Sequence, residues 1–280
     1  MQSDKKLNLF INLGGSLIGV FVLGYVVYSA YYTATEPPCS ERYAAPIRFA
    51  LQTAAGKPLT PIDLQARAGL RDVGVIDNAA VVAVKDGPSP DALEVKLRSL
   101  PGGDDASAKT RNGIEFRWSP PGMNGAAATC LAYSVWLPDK FDFGDGGFLP
   151  GVFGGDSGTA RQQAATDRLT VTLEWSDNGI PSLTAALDGS ERLRLSGAGT
   201  PLATGRWLKM EQEVILNDPG QKNGTVRLWV DGELIVENER VQLRKDDKVL
   251  LTGVHAAIGY ERTPPPDSLL RLSPLEIARR

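Results

Sequence analysis

The chain has 280 residues, 42% of them hydrophobic, with 30 glycines and 19 prolines, a globular composition biased toward turns rather than long helices. Its net charge is −3 and its basic residues are scattered. It lacks the basic stripe that phosphate-backbone binding needs, so nucleic acid is not an expected partner.

The first element in chain order is apolar. Lys5 and Lys6 precede Leu7 to Tyr32, a run without a charged side chain and longer than the ~20 residues a helix needs to cross hydrocarbon. The run predicts a transmembrane helix over residues 7–32. A cleaved signal peptide is the rival, but its apolar region is only about 7 to 15 residues. Lys5 and Lys6 before the span and Glu36 after it predict a single-pass protein of the inner membrane, with residues 1–6 in the cytoplasm and the rest in the periplasm. Tyr25, Tyr28, Tyr31 and Tyr32 gather at the outer end, where amphipathic rings favour the lipid interface. Gly15 and Gly19 form a GxxxG pair: either a packing face for a helix of another membrane subunit, or ordinary glycines of a membrane helix.

Residues 33–46, TATEPPCSERYAAP, read as a linker lifting a domain, 47–280, off the bilayer. Cys39 and Cys130 are the two cysteines. An oxidising compartment would let them pair; two buried thiols are the alternative. In PLTPIDLQARAGL, Thr60 as cap, Pro61 at the first helical position, Asp63 in the first turn and Gly69 as stop predict one short helix.

Short alternating or apolar runs then recur between turn signals, among them ALEVKLRSL, GIEFRW, CLAYSVWLP, RLTVTLEW, WLKMEQEVIL and VHAAIGY. They predict an all-β sandwich or barrel. Along RLTVTLEW, Leu169, Val171, Leu173 and Trp175 share the core face, and Thr170, Thr172 and Glu174 share the solvent or groove face. In TVRLWVDGELIVE, Asp231 and Gly232 predict a tight hairpin turn.

The usual chemistries find little support. His255 is the one histidine and sits in an apolar run, where a structural role is expected; with no GxSxG elbow, serine hydrolysis has no support. No nucleotide-binding glycine motif occurs, so no cofactor is expected. Asp142 and Asp145 in DFGDGG read as turn residues rather than calcium ligands, and no metal is expected. Of the five tryptophans, Trp136 and Trp229 lie out of phase with the aliphatic faces of their strands, so each is read either as packed in the core or an interface or as a candidate for stacking on a sugar ring.

Two separated segments, YSVWLPDKFDFGDGGFLPGVFGG and WLKMEQEVILNDPGQKNGTVRLWVDGELIVENERVQLR, resemble polysaccharide lyase family fourteen. The family's GGKLPG-x-x-GG loop is matched by Gly146, Gly147, Leu149, Pro150, Gly151, Gly154 and Gly155. Its E-Q-x-V-x-L-N strand is matched by Glu211, Gln212, Val214, Leu216 and Asn217. The resemblance, covering roughly residues 81–277, implies a concanavalin-like β-jelly-roll and an alginate- or glucuronan-type lyase. Such a lyase works by β-elimination: it neutralises the uronate carboxylate, removes the adjacent proton and protonates the leaving oxygen.

The residues for that work are missing here. Phe148 stands at the family's lysine, Thr170, Thr172 and Ser176 stand at its serine and two arginines, and IPSLTAALDG lacks its tyrosine pair. No catalytic residue is assigned; Tyr133, Trp136, Glu174, Gln212 and Trp229 are the candidate groove residues. Glu174 would repel a polyuronate. The resulting expectation is a membrane-anchored, non-catalytic jelly-roll that binds a polysaccharide or serves as a subunit of a membrane assembly. The alternative is a lyase whose site is rebuilt from Tyr133, Tyr260, Arg161 or Arg168.

Overall fold

The computed structural model describes residues 18–28, 36–69, 72–98, 112–123, 125–155, 169–187, 191–197, 199–262, 265 and 268–280. The chain divides into two compact units, Met1–Pro37 and Pro38–Arg280.

In the first unit, residues 18–28 form a helix, α1. Among the described residues, no helix is long and apolar enough to cross a membrane. The rest of the expected span, residues 7–17 and 29–32 with Gly15, Tyr31 and Tyr32, lies outside the described residues.

The second unit opens with a 3-10 turn, Cys39–Glu41, and then β1 (Ile47–Arg48), α2 (Pro61–Arg67), β2 (Asp72–Val73) and α3 (Val75–Asn78). Helix α2 forms for the expected reasons: Thr60 Oγ1 accepts from Asp63 N at 3.2 Å, Asp63 Oδ2 accepts from Thr60 N at 2.9 Å, and Pro61 fills the first turn. Next come β3 (Ala79–Ala83), β4 (Asp91–Leu97), β5 (Ile114–Trp118), β6 (Ala128–Trp136), β7 (Gly147–Gly154), β8 (Leu169–Trp175), β9 (Pro181–Leu187) and β10 (Glu191–Ser196). The last six are β11 (Trp207–Ile215), β12 (Gly224–Val230), β13 (Glu233–Val241), β14 (Leu251–Tyr260), β15 (Ser268–Leu272) and β16 (Glu276–Arg279).

These strands make two antiparallel sheets. The first runs β13-β12-β11-β6-β15-β4-β3, with β16 also on β6 and β1 on β16; the second runs β10-β9-β8-β7-β14-β5-β2. Neighbours distant in sequence, such as β6 with β11 and β7 with β14, mean that the chain repeatedly crosses between the sheets, as a jelly-roll does. The β12–β13 hairpin turns on Asp231 and Gly232, whose φ angles of 51° and 83° match the turn predicted for that pair.

Period-two alternation builds the core. Leu131, Tyr133 and Val135 of β6 and Leu208, Met210 and Val214 of β11 meet Leu169, Val171, Leu173 and Trp175 of β8 between the sheets. Trp175 is buried, its indole donating to Phe143 O at 3.1 Å and standing edge-on to Phe141 and Tyr260. Trp175→Ala is expected to lower the unfolding free energy by about 3 to 5 kcal/mol, measured by urea denaturation. A loss below about 1 kcal/mol would show that this end of the sandwich is not packed as described.

The segment expected as a glycine-rich loop is instead a central strand. β7 lies between β8 and β14, and a register shift between Leu149 and Val152 places Pro150 at a bulge, where the missing N–H costs no ladder bond. Gly151 permits a close approach there, since a Cβ would lie 2.1 Å from Val171 O.

Candidate functional site

The outer face of the second sheet gathers the residues that the family resemblance singled out. Phe148 of β7 pairs with Glu174 of β8, which pairs with Ser182 of β9. Thr170 and Thr172 continue that face of β8 opposite Ala186 and Thr184. Phe148, Glu174 and Ser176 line a hollow of about 240 Å³ together with Asp145, Asp177, Glu261, Arg194 and Arg262. Four carboxylates against two guanidiniums make this hollow unfavourable for a polyanion.

Strand β10 supplies cations that the sequence reading passed over. Arg192 and Arg194 stand on the same face, Arg192 3.4 Å from the Glu174 carboxylate and Arg194 donating from Nε to Ser182 Oγ at 3.2 Å. The signal was present in ERLRLS, whose alternation puts both arginines on one side.

Farther along this face lies His255 of β14, opposite Arg117 of β5 and Gly151 of β7. Its Nε2 is 2.9 Å from Glu115 Oε1, and among the described residues its buried Nδ1 has no hydrogen-bond partner. The hydrogen bond to His255 holds the Glu115 carboxyl below its ordinary value, against a smaller opposing effect of burial. His255 therefore sits on the outer face of the second sheet as half of an imidazole–carboxylate pair.

Four candidate groove residues lie elsewhere. Tyr133 and Gln212 point between the sheets: the Tyr133 hydroxyl donates to Pro150 O at 3.0 Å and Gln212 Nε2 donates to Val171 O at 2.9 Å. Both carbonyls flank the β7 bulge, where the ladder is interrupted, so the Tyr133 hydroxyl and the Gln212 Nε2 are engaged in holding the bulge. Trp229 is fully buried on the outer face of the first sheet, against Cys39, Tyr43 and Cys130. Trp136 is half-buried at the end of that same face. The five expected groove residues thus occupy three surfaces, and Glu174 alone is in the hollow.

The tyrosines available to a rebuilt catalytic site are also committed. Burial pushes the Tyr133 phenol well above its usual range. Burial raises Tyr260 to about 12, and its hydroxyl donates to Asp142 O and lies 3.3 Å from Ser268 Oγ. Arg161 and Arg168 lie outside the described residues. Asp142 has the expected turn role, accepting from Gly144 N at 2.9 Å. Cys39, Cys130 and Glu211 bring ligand-type atoms within 4.8 Å of one another, but the two sulfurs are bonded to each other, which removes the thiolates a metal would need.

The family model described as polysaccharide lyase 14 matches residues 89–258. A polysaccharide lyase 14 alginate lyase from Aplysia kurodai superimposes with a TM-score of 0.62 at 18% identity, over 75% of this chain and 90% of that one. An alginate lyase from a Chlorella virus superimposes with a TM-score of 0.61 at 18% identity, over 78% of this chain and 97% of that one. At such identity the likeness is one of fold. A search of curated proteins finds no match.

Proposed function

The chain belongs to the polysaccharide lyase 14 family, and from that premise we propose that it is a non-catalytic member, a jelly-roll that binds glycan or a membrane partner without cleaving a polymer. The observation that carries this reading is the hollow itself. Phe148 occupies its wall, and the phenols of Tyr133 and Tyr260 are buried and bonded to backbone carbonyls. β-Elimination needs a cation at the uronate carboxylate and groups that move protons at the adjacent carbon and the leaving oxygen. Phe148 can do neither, and Glu174 opposes the first.

Anchoring is part of the proposal. The charge-free run of residues 7–32, with Lys5 and Lys6 before it, supports insertion in the inner membrane with the jelly-roll on the periplasmic side. The Gly15 and Gly19 pair supports a partner helix in the membrane. Extraction in mild detergent should then yield the chain with other membrane proteins; recovery of monomer alone would remove the assembly version.

A second reading, a lyase with a rebuilt site, is favoured by Arg194 in the hollow and by the His255–Glu115 pair on the same face. One assay separates the two. The full chain in detergent is incubated with polymannuronate, polyguluronate and glucuronan while ultraviolet absorbance of the unsaturated product is followed. No protein-dependent rise is expected. A sustained rise, abolished by His255→Gln or Arg194→Ala, would make the second reading correct.

A further inference from the structure

The outer face of the first sheet carries a second, larger hollow. Strand register places Trp207 of β11 opposite Trp136 of β6, Trp136 opposite Arg271 of β15, and Arg271 opposite Glu94 of β4. At about 4.8 Å between strands, Trp207, Trp136 and Arg271 form a row about 10 Å across. The Arg271 guanidinium lies 4.9 Å over the Trp136 ring and is held by two contacts of 2.9 Å to Glu94 Oε2. Arg206, fixed at 2.6 Å to Asp231, and the exposed Lys85 and Asp86 complete the walls of a hollow of about 620 Å³. Lys85 makes no ion pair among the described residues.

We propose that this hollow is a second carbohydrate site, one that takes an acidic oligosaccharide. Its volume falls in the range of ligand sites, about 300 to 1,000 Å³. Two half-buried indoles in one row offer flat apolar surfaces for the C–H faces of sugar rings. Arg271 and Arg206 are already paired with Glu94 and Asp231, so the cation left to select a ring that bears a carboxylate is Lys85, with the outward side of Arg206 beside it. Arg271 is committed to Trp136 and Glu94, so its part is to hold the indole in place. The hollow on the second sheet, with its surplus of carboxylates, would reject the same ligand. The inference therefore stands whether or not that other face binds or cleaves anything.

The test is calorimetric titration of the full chain in detergent with a mannuronate hexasaccharide and, in parallel, with neutral cellohexaose, with tryptophan fluorescence recorded alongside. The mannuronate oligomer should bind and perturb the fluorescence, and cellohexaose should bind at least about tenfold more weakly. Trp207→Ala and Lys85→Glu should each weaken mannuronate binding about tenfold, equivalent to about 1.4 kcal/mol. Lys85 is exposed, so its variant should melt with the wild type and separate lost binding from lost fold. Arg194→Ala, in the other hollow, should leave this binding within about twofold, since a site without shared partners contributes independently. The proposal is overturned if the hexasaccharide does not bind, if cellohexaose binds equally well, if both variants bind like wild type, or if Arg194→Ala abolishes binding. Blockage of the hollow by a co-purifying protein, relieved by Trp207→Ala, would also overturn it by showing a protein interface instead.

Discussion

Arg227→Met should lower the unfolding free energy by about 3 kcal/mol at neutral pH, the loss expected when one partner of a buried ion pair is removed. Arg227 and Glu213 are nearly inaccessible, with side-chain exposures of 7% and 0%. The guanidinium reaches Glu213 at 3.0 Å, Glu237 at 2.7 Å and Glu239 at 2.6 Å, while Glu213 also accepts from Arg42 at 2.8 Å and Tyr43 at 2.9 Å. The two outer carboxylates are solvated and contribute little. The cost arises because Glu213 remains buried with fewer donors. Burial alone would raise its pKa, but hydrogen bonds from Arg42, Arg227 and Tyr43 prevail and hold it below the ordinary value. A folded-state pKa below the unfolded value of about 4.3 makes the stabilisation complete above that value, and it is lost as pH falls through the folded one. The gap between wild type and Arg227→Met in urea should therefore narrow from pH 7 to about pH 3. An equal gap at both would show that packing, and not charge, sets the cost.

How much of this was legible in the sequence depends on how far each signal reaches along the chain. Thr60, Pro61 and Asp63 lie within one turn, and the helix they announce is present. RLTVTLEW alternates strictly, and its four apolar residues are all in the core. Asp231 and Gly232 close the hairpin they suggest. Strand β7 escaped because its glycines and Pro150 speak against a strand, and only the neighbouring β8 and β14 make the bulge tolerable.

The site was half legible for the same reason. Phase along β8 correctly put Thr170, Thr172 and Glu174 on one face, with Phe148 beside them through pairing. Gln212 and Tyr133 were misplaced although their phase, shared with Met210 and Val135, pointed inward. Their polar ends are accommodated there because a break in the ladder of the opposite sheet gives them carbonyls to serve. Of the two readings of Trp229, packing is the one found, and the sequence alone could not decide it because what covers the ring, the turn at Cys39 and the ring of Tyr43, lies far away in sequence.

That cover is stapled, and removing the staple is the second large effect. The disulfide joins Cys39 to Cys130 across 91 positions. In the chain-entropy model, closing so long a loop stabilises by about 4 to 5 kcal/mol, within a measured range of about 0 to 5. Cys39→Ala with Cys130→Ala should therefore lose about 4 kcal/mol in urea without reductant, and reduction of the wild type should bring it toward the variant. Both sulfurs are buried against Trp229, so its fluorescence should shift red if the 3-10 turn lifts away. The turn also delivers Arg42 and Tyr43 to Glu213 and Ser40 N to Glu211 at 2.9 Å. Losing the staple and losing Arg227 therefore draw on one polar cluster, and their costs should not add. If Arg42 and Tyr43 leave with the turn, Glu213 opens to solvent and Arg227→Met costs less in the cysteine-free background than in the wild type. Strict additivity, or a staple worth less than about 1 kcal/mol, would mean that the turn stays seated on the sheet by packing alone.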